Sequence, residues 1–327
     1  MSCRALLLDK QPDFSVQVAD IDVASLPEGD VLIRVSYSTL NYKDALAIRN
    51  RSPVVRIWPM VAGIDAAGVV ESSSHPDFRP GDPVVVNGWG LGETRWGGLA
   101  QKTRVPGDWL VKLPAPLTPR DAAAIGTAGY TAALCVQALE RHGLTPGDGP
   151  VLVTGATGGV GSIAVALLAR AGFEVVAVTG KATAAEYLQR LGASEVLERA
   201  AFTASAKPLQ KERYAGVVDT LGSQALANAC ARVRRDGAVA ACGLAMGMDF
   251  PASVAPFILR GIALYGIDSV YASRARRQAA WSRLGDDLDP ALLGGIAHEI
   301  ALQDCIPAAQ ALLAGQVVGR YLVDVNQ

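Results

Sequence analysis

The sequence predicts an α/β protein in two parts, a parallel nucleotide-binding sheet and a compact, mostly β domain. Three observations predict it. Residues 149–180 run as apolar strand, glycine-rich turn, apolar helix and second strand. After them, short apolar runs alternate with helical ones, the pattern of a parallel sheet built from crossover units. Before them, residues 1–114 hold short β-like runs divided by Gly and Pro turns.

The nucleotide motif carries the most chemistry. Val151, Leu152 and Val153 lead into TGATGGVG at residues 154–161, and the helix pattern follows over 163–168. Glycines let the backbone turn sharply and approach a pyrophosphate, and the free N–H groups of a helix start face its negative charge. A glycine run alone is weak. Set between strand and helix, with a second strand at 175–178, it meets the structural context that the motif requires.

Earlier in the chain, residues 4–8 and 31–35 read as strands, the second entered through the turn at 27–30. Residues 36–48 carry Tyr37, Asn41, Tyr42, Lys43 and Asp44 in a loop-to-helix setting, where polar groups can face a cleft. Further β regions cover 62–70 and 80–86. In NGWGLGETRWGGLA at 87–100, Trp89 and Trp96 either close an apolar pocket or pack the domain. Pro114, Pro116 and Pro119 mark a boundary, and a helical pattern over 121–140 is interrupted near Gly126. Beyond the motif, 184–191 reads as helix, 193–197 and 216–220 as strands, 225–233 as helix, and 237–243 and 262–267 as strands. The last segments read as helix (274–284), strand (296–302), helix (307–314) and strand (321–325), returning to the first domain.

Composition narrows the function classes. A chain of 327 residues favours two domains, and 50% hydrophobic content fills a substantial core. The formal net charge of -1 offers no global attraction to nucleic acid or anionic lipid. No apolar run approaches the roughly 20 residues that span a bilayer, so no membrane partner is expected. The start Met1-Ser2-Cys3-Arg4 enters a strand-like run without an extended secretory leader. Cys3, Cys135, Cys230, Cys242 and Cys305 are scattered, with no CxxC and no metal-ligand spacing. They read as buried apolar thiols in a metal-independent, cytoplasmic protein. His75, His142 and His298 supply no base–nucleophile constellation.

Cofactor choice is legible at the end of the second strand. NAD sites often place an acid there for the ribose hydroxyls, and that acid repels the extra phosphate of NADP. Here Thr179, Gly180 and Lys181 occupy the position. Lys181 attracts a phosphate, Thr179 or Thr183 can donate to it, and Arg199 adds charge near the adenosine end. NADPH is the expected cofactor.

Eight segments together carry a family resemblance: LNYKDALAI at 40–48, RWGGLAQKTRVPGDWLVKLP at 95–114, IGTAGYTAALCVQALE at 125–140, VTGATGGVGSIAVALLARAGFEVVAVTGK at 153–181, YLQRLGASEVL at 187–197, VAACGLAMG at 239–247, PFILRGIALYGIDSV at 256–270 and GRYLVDVN at 319–326. They resemble the quinone oxidoreductase-like branch of the medium-chain dehydrogenase/reductase superfamily, and most closely its NADPH-dependent acrylyl-CoA reductase group. The resemblance implies a GroES-like catalytic domain at 1–125 and 296–327 and a Rossmann domain at 126–295. It implies hydride transfer to the β carbon of acrylyl-CoA and protonation at the α carbon, giving propionyl-CoA, in a cytoplasmic homodimer. It carries cofactor contacts to Tyr42, Thr157, Gly158, Gly159, Val160, Thr179, Gly180, Lys181, Arg199, Leu244, Ile258, Ser269 and Asn326, with no metal. Tyr42 is the catalytic candidate, as proton donor or as a positioning group for the cofactor. Asp44 either organises Tyr42 or caps its helix. The arginine groups 49, 51, 56 and 274, 276, 277 are candidates for the CoA tail or ordinary surface charge. A quinone or another activated alkene as substrate, and a noncatalytic NADPH-binding protein, remain as alternative readings.

Overall fold

The apolar runs after residue 150 pair into one sheet in a computed structural model of the chain, which describes residues 1–205 and 207–327. Val151–Val153, Val175–Thr179, Glu195–Glu198, Tyr214–Asp219, Val233–Ala241 and Ala263–Gly266 are its six strands, all parallel. Counted along the chain, their order in the sheet is 3-2-1-4-5-6, that of a doubly wound dinucleotide fold. The strands are continuous apolar runs because helices cover both faces of such a sheet. Val151, Leu152, Val153, Val175, Val176 and Val178 are fully buried.

Two units divide the chain. The first comprises Met1–Thr127, Val270–Gly285 and Asp289–Gln327, and the second Ala128–Ser269 and Asp286–Leu288. The second holds the parallel sheet. The return at Val270 precedes the residue-296 boundary that the resemblance implies. Helix Arg274–Asp287 explains the difference, since Arg277 is 2% exposed and donates to Asn87 O at 2.6 Å and Val270 O at 2.5 Å. The indole of Trp281 donates to Asn87 Oδ1 at 3.1 Å. Helical periodicity cannot reveal that pairing, because its partner lies about 190 residues earlier.

The first unit is mostly β, as its turn density predicts. Ser2–Asp9 pairs antiparallel with Ser15–Asp22 and with Met60–Val61. A larger sheet runs Ala297–Ala301, Arg320–Asp324, Val31–Leu40, Asp65–Ser73, Pro83–Asn87 and Val111–Lys112, with Lys102–Val105 also on Val31–Leu40. In Val31–Leu40 the buried Val31, Ile33 and Val35 alternate at the period of a strand facing a core. The strand Ser15–Asp22 is absent from the sequence reading, its acids and single Gln having diluted the pattern.

At the centre of this unit is a buried carboxylate. Asp65, 1% exposed, accepts from Thr39 Oγ1 (2.5 Å), Asn41 Nδ2 (2.8 Å), Asn87 Nδ2 (2.7 Å), Thr127 N (3.0 Å) and Thr127 Oγ1 (2.5 Å). The buried guanidinium of Arg320 lies 3.9 Å away and donates to Ala124 O, Ile125 O and Asn41 Oδ1. Gly126, at φ +50°, lets the backbone pass, and a Cβ there would stand 2.6 Å from the Arg320 nitrogens.

The helix Pro119–His142 is long and apolar enough to cross a membrane by length and composition, which corrects the expectation that nothing in the chain approaches that length. Its apolar window is 89% buried, and non-helical backbone at Gly126 interrupts it, as in the core helix of a globular protein.

Asp65→Ala removes the acceptor of five donors at once. It is expected to cost about 3–5 kcal/mol by urea denaturation followed by circular dichroism. A cost near that of an ordinary surface change, about 0.5 kcal/mol, would contradict the role given to this carboxylate.

Candidate functional site

The glycine turn is built as the motif requires. Gly155 has φ +60°, and a Cβ on it would meet Thr220 Oγ1 at 2.2 Å. Gly161 packs so closely on the turn that a Cβ would stand 2.4 Å from Gly155 O. Helix Gly159–Arg170 therefore starts directly on the end of strand Val151–Val153, and its first N–H groups form an anion-binding end. Buried Asp219 sets the floor, accepting from Thr154 Oγ1 at 2.6 Å and from Gly222 N at 2.8 Å. Burial pushes its carboxyl above the ordinary range, and the Thr154 and Gly222 donors oppose that. These bonds tie together the carboxyl ends of the first and fourth strands, where the order of strands reverses and such sheets bind ligands.

The end of the second strand carries Thr179, Gly180 and Lys181, the groups expected to choose the cofactor. Thr179 Oγ1 lies 3.0 Å from Thr157 Oγ1 and accepts from Lys181 N at 3.1 Å. The ammonium of Lys181 reaches Thr157 Oγ1 at 3.5 Å. Parallel pairing sets Thr179 beside Glu198, and Arg199 N donates to Thr179 O at 2.8 Å. Arg199 is thus brought onto Gly180, where a Cβ would stand 2.8 Å from its guanidinium carbon. Burial, and then the charge of Arg199, hold the Lys181 ammonium below its usual range. A cleft of about 350 Å³ opens here, lined by Thr179, Gly180, Ala182, Glu198, Arg199, Ala200 and Thr203. Two cations meet around a glycine with room for a ligand, and the position an NAD site gives to an acid has no side chain at all.

Thr157, Gly158, Gly159, Val160, Thr179, Gly180, Lys181 and Arg199 therefore gather around one turn and one cleft. Other expected contacts lie elsewhere. In the second unit, Leu244 and Ile258 are 61% and 73% exposed, after strand Val233–Ala241 and on helix Ala255–Arg260, and Ser269 is the last residue of its longer segment. Tyr42 and Asn326 belong to the first unit. Asn326 donates its side-chain amide to Val35 O and Ser36 O, which fastens the C-terminal strand end to Val31–Leu40. Glu198 is a cleft residue that sequence reasoning missed. Its signal was its position beside Arg199 at the end of the third strand.

Tyr42 opens helix Tyr42–Ile48 and is 44% exposed, so its phenol is available to a ligand. Asp44, within the first turn, is 2% exposed and accepts from Asn41 N (2.8 Å), Asn41 Nδ2 (3.1 Å) and Ile64 N (3.0 Å). It caps and anchors the start of the helix, the second of the two expected roles. Burial, with the charge of Asp65 adding, pushes its carboxyl up to about 7 against the pull of the Asn41 and Ile64 donors. Lys43 pairs with Glu93 at 2.9 Å. Trp89 stacks on Trp109 (5.6 Å, 7°), with the Arg277 guanidinium 4.2 Å from its ring, and Trp96 donates to Pro59 O. Both tryptophans pack against the core. Arg277 is buried in that packing and Arg274 is paired with Asp77 and Asp108, which removes this pair as free charge for a CoA tail.

Comparison with known proteins agrees with this architecture. Residues 27–115 match the alcohol dehydrogenase GroES-like domain, and residues 159–285 match the zinc-binding dehydrogenase family. The chain is 50% identical to the probable acrylyl-CoA reductase AcuI of Escherichia coli, over 99% of this chain and 100% of that one. It is 48% identical to acrylyl-CoA reductase AcuI of Ruegeria pomeroyi, over 98% and 99%. The crystal structure of Escherichia coli K-12 YhdH with bound NADPH superposes with a TM-score of 0.96 at 50% identity, covering 98% of this chain and 100% of that one. The chain belongs to the medium-chain dehydrogenase/reductase superfamily, in its quinone oxidoreductase-like branch. Its residues do not fit the metal in the zinc family's description. Among the described residues no three His, Cys, Asp or Glu side chains gather into a ligand set, and the oxygens of Asp44 and Asp65 are taken by protein donors.

Asp44 makes stability pH-dependent in a definite direction. Its carboxyl is raised from 3.8 to about 7 on folding, so between those values the folded chain holds a proton that the unfolded chain has released. The stability this group contributes is full at low pH and is lost as pH rises toward 7. Asp44→Asn is therefore expected to flatten the fall in Tm between about pH 5 and pH 7. Parallel falls in wild type and variant would exclude this titration.

Proposed function

We propose that the chain is an NADPH-dependent reductase that converts acrylyl-CoA to propionyl-CoA. The observation that carries the cofactor is the cleft at Gly180, where the second strand ends in a glycine in place of an acid and the Arg199 guanidinium packs on it. Full-length similarity to acrylyl-CoA reductases at about half identity supports the substrate.

Bound NADPH supplies the hydride that adds to the β carbon of the thioester-conjugated alkene. The protein's part is placement. The helix start at Gly159 and the backbone of the 155–161 turn hold the pyrophosphate, and Arg199, Lys181 and Thr179 receive the 2′-phosphate. Tyr42 is our candidate for the group that orients the nicotinamide or donates a hydrogen bond where charge develops on the thioester oxygen. Its helix start is held by Asp44 and Asn41, so the phenol is carried on a rigid base. A conjugated thioester already has an electron sink, and this reaction needs no metal to polarise it. Leu244, Ile258, Ser269 and Asn326 remain proposed cofactor contacts.

We also propose a cytoplasmic homodimer. Ala263–Gly266 is one of the two edge strands of the parallel sheet, and Val254, Leu259, Leu264 and Tyr265 are exposed on and just before it. An open edge beside apolar side chains is a surface for a second copy. Five unpaired cysteines suit a reducing compartment.

Anaerobic NADPH oxidation with acrylyl-CoA, coupled to mass detection of propionyl-CoA, tests the reaction. Turnover to propionyl-CoA is expected, and activity confined to a free quinone or enone would move the chain to the alternative substrate class. Arg199→Ala is expected to weaken NADPH binding about tenfold relative to NADH. Equal effects on both nucleotides would remove Arg199 from phosphate recognition. Native mass spectrometry tests the dimer, and monomer alone at working concentration would refute it.

A further inference from the structure

The adenosine cleft contains a charge of the wrong sign for NADPH. Glu198 lines it together with Arg199, Thr179 and Gly180. Parallel pairing fixes its backbone directly beside Thr179, at the end of the second strand. Glu198 is exposed, and among the described residues its carboxylate has neither a hydrogen bond nor an ion pair. Its neighbour Arg199 does not neutralise it. The Arg199 guanidinium packs on Gly180, and among the described residues no ion pair joins it to Glu198. One wall of the cleft is thus cationic, and a free carboxylate shares the lining.

We infer that Glu198 sets the cofactor selectivity of this site by opposing the 2′-phosphate of NADPH and accepting a hydrogen bond from the ribose hydroxyls of the unphosphorylated dinucleotide. This rests on the reading of the cleft as the 2′-phosphate site. An acid at the end of the second strand is the usual device for binding ribose hydroxyls and excluding the phosphate. Here the second strand ends in Gly180, and the acid is supplied by the neighbouring strand in register with Thr179. Because the cationic Arg199 lines the same cleft, it moderates the preference without reversing it.

The test isolates the adenosine end by using the fragments 2′,5′-ADP and 5′-AMP, which differ only in the 2′-phosphate, titrated calorimetrically into the full chain and into Glu198→Gln. The substitution keeps the size of the side chain, removes its charge and replaces one acceptor oxygen with an amide donor. The expected result is a threefold to tenfold gain in affinity for 2′,5′-ADP, about the effect of one opposing charge across a partly screened cleft, with no gain for 5′-AMP. Unchanged or weaker 2′,5′-ADP binding, or an equal gain for both fragments, would overturn the inference. The wild-type preference for 2′,5′-ADP over 5′-AMP is measured in the same series. Its absence would defeat the NADPH reading itself, a result distinct from a failure of Glu198 alone.

Discussion

The buried carboxylate of Asp65 is the constraint around which the first unit is arranged. A charge taken out of water is tolerated only when donors replace its hydration. Here the donors come from Thr39, Asn41, Asn87 and Thr127, with Arg320 close by. To satisfy one side chain, strand Val31–Leu40, the start of helix Tyr42–Ile48, the end of strand Pro83–Asn87 and the turn at Gly126 must all arrive at the same point. The helix that presents Tyr42 is therefore positioned by the same bonds that satisfy the core. Asn87 extends the arrangement, since it also receives Arg277 and Trp281 and draws the helix from Arg274 into the unit.

The second unit solves a different problem by repetition. Each crossover adds one parallel strand, and the strand order places the glycine turn where the sheet changes direction. The turn works because Gly155 and Gly161 have no Cβ, and the space saved lets the helix start meet the strand end. Cofactor choice is then a local electrostatic matter. Gly180 leaves room, Arg199 and Lys181 supply positive charge, and Glu198 offsets part of it in the same cleft. Selectivity here is a balance of charges on two neighbouring strands and not the identity of one residue.

Legibility followed the range of the interactions. The 151–181 unit could be read outright, since strand, turn, helix and second strand are contiguous and each has its own local signal. Lys181 could be read for the same reason. Asp44 was visible as a candidate with two roles, and only its bonds to Asn41 and Ile64 decided for the cap. Trp89 could be read as large and apolar, but its stack on Trp109 against Arg277 joins three distant segments. Asp65 drew no notice, because a single acid in an apolar run has no periodicity to betray that five donors converge on it.

By itself the sequence determined the α/β class, the dinucleotide turn, the absence of an acid after the second strand and the family, all of which reside in short contiguous strings. The tertiary structure decided what depends on strands meeting across the sheet. It placed Arg199 on Gly180 and Glu198 beside Thr179, gathered the donors of Asp65, and assigned the helix from Arg274 to the first unit. The physical reason is that hydrogen bonds and charges act over a few ångströms of space, however many residues of chain separate the groups that share them.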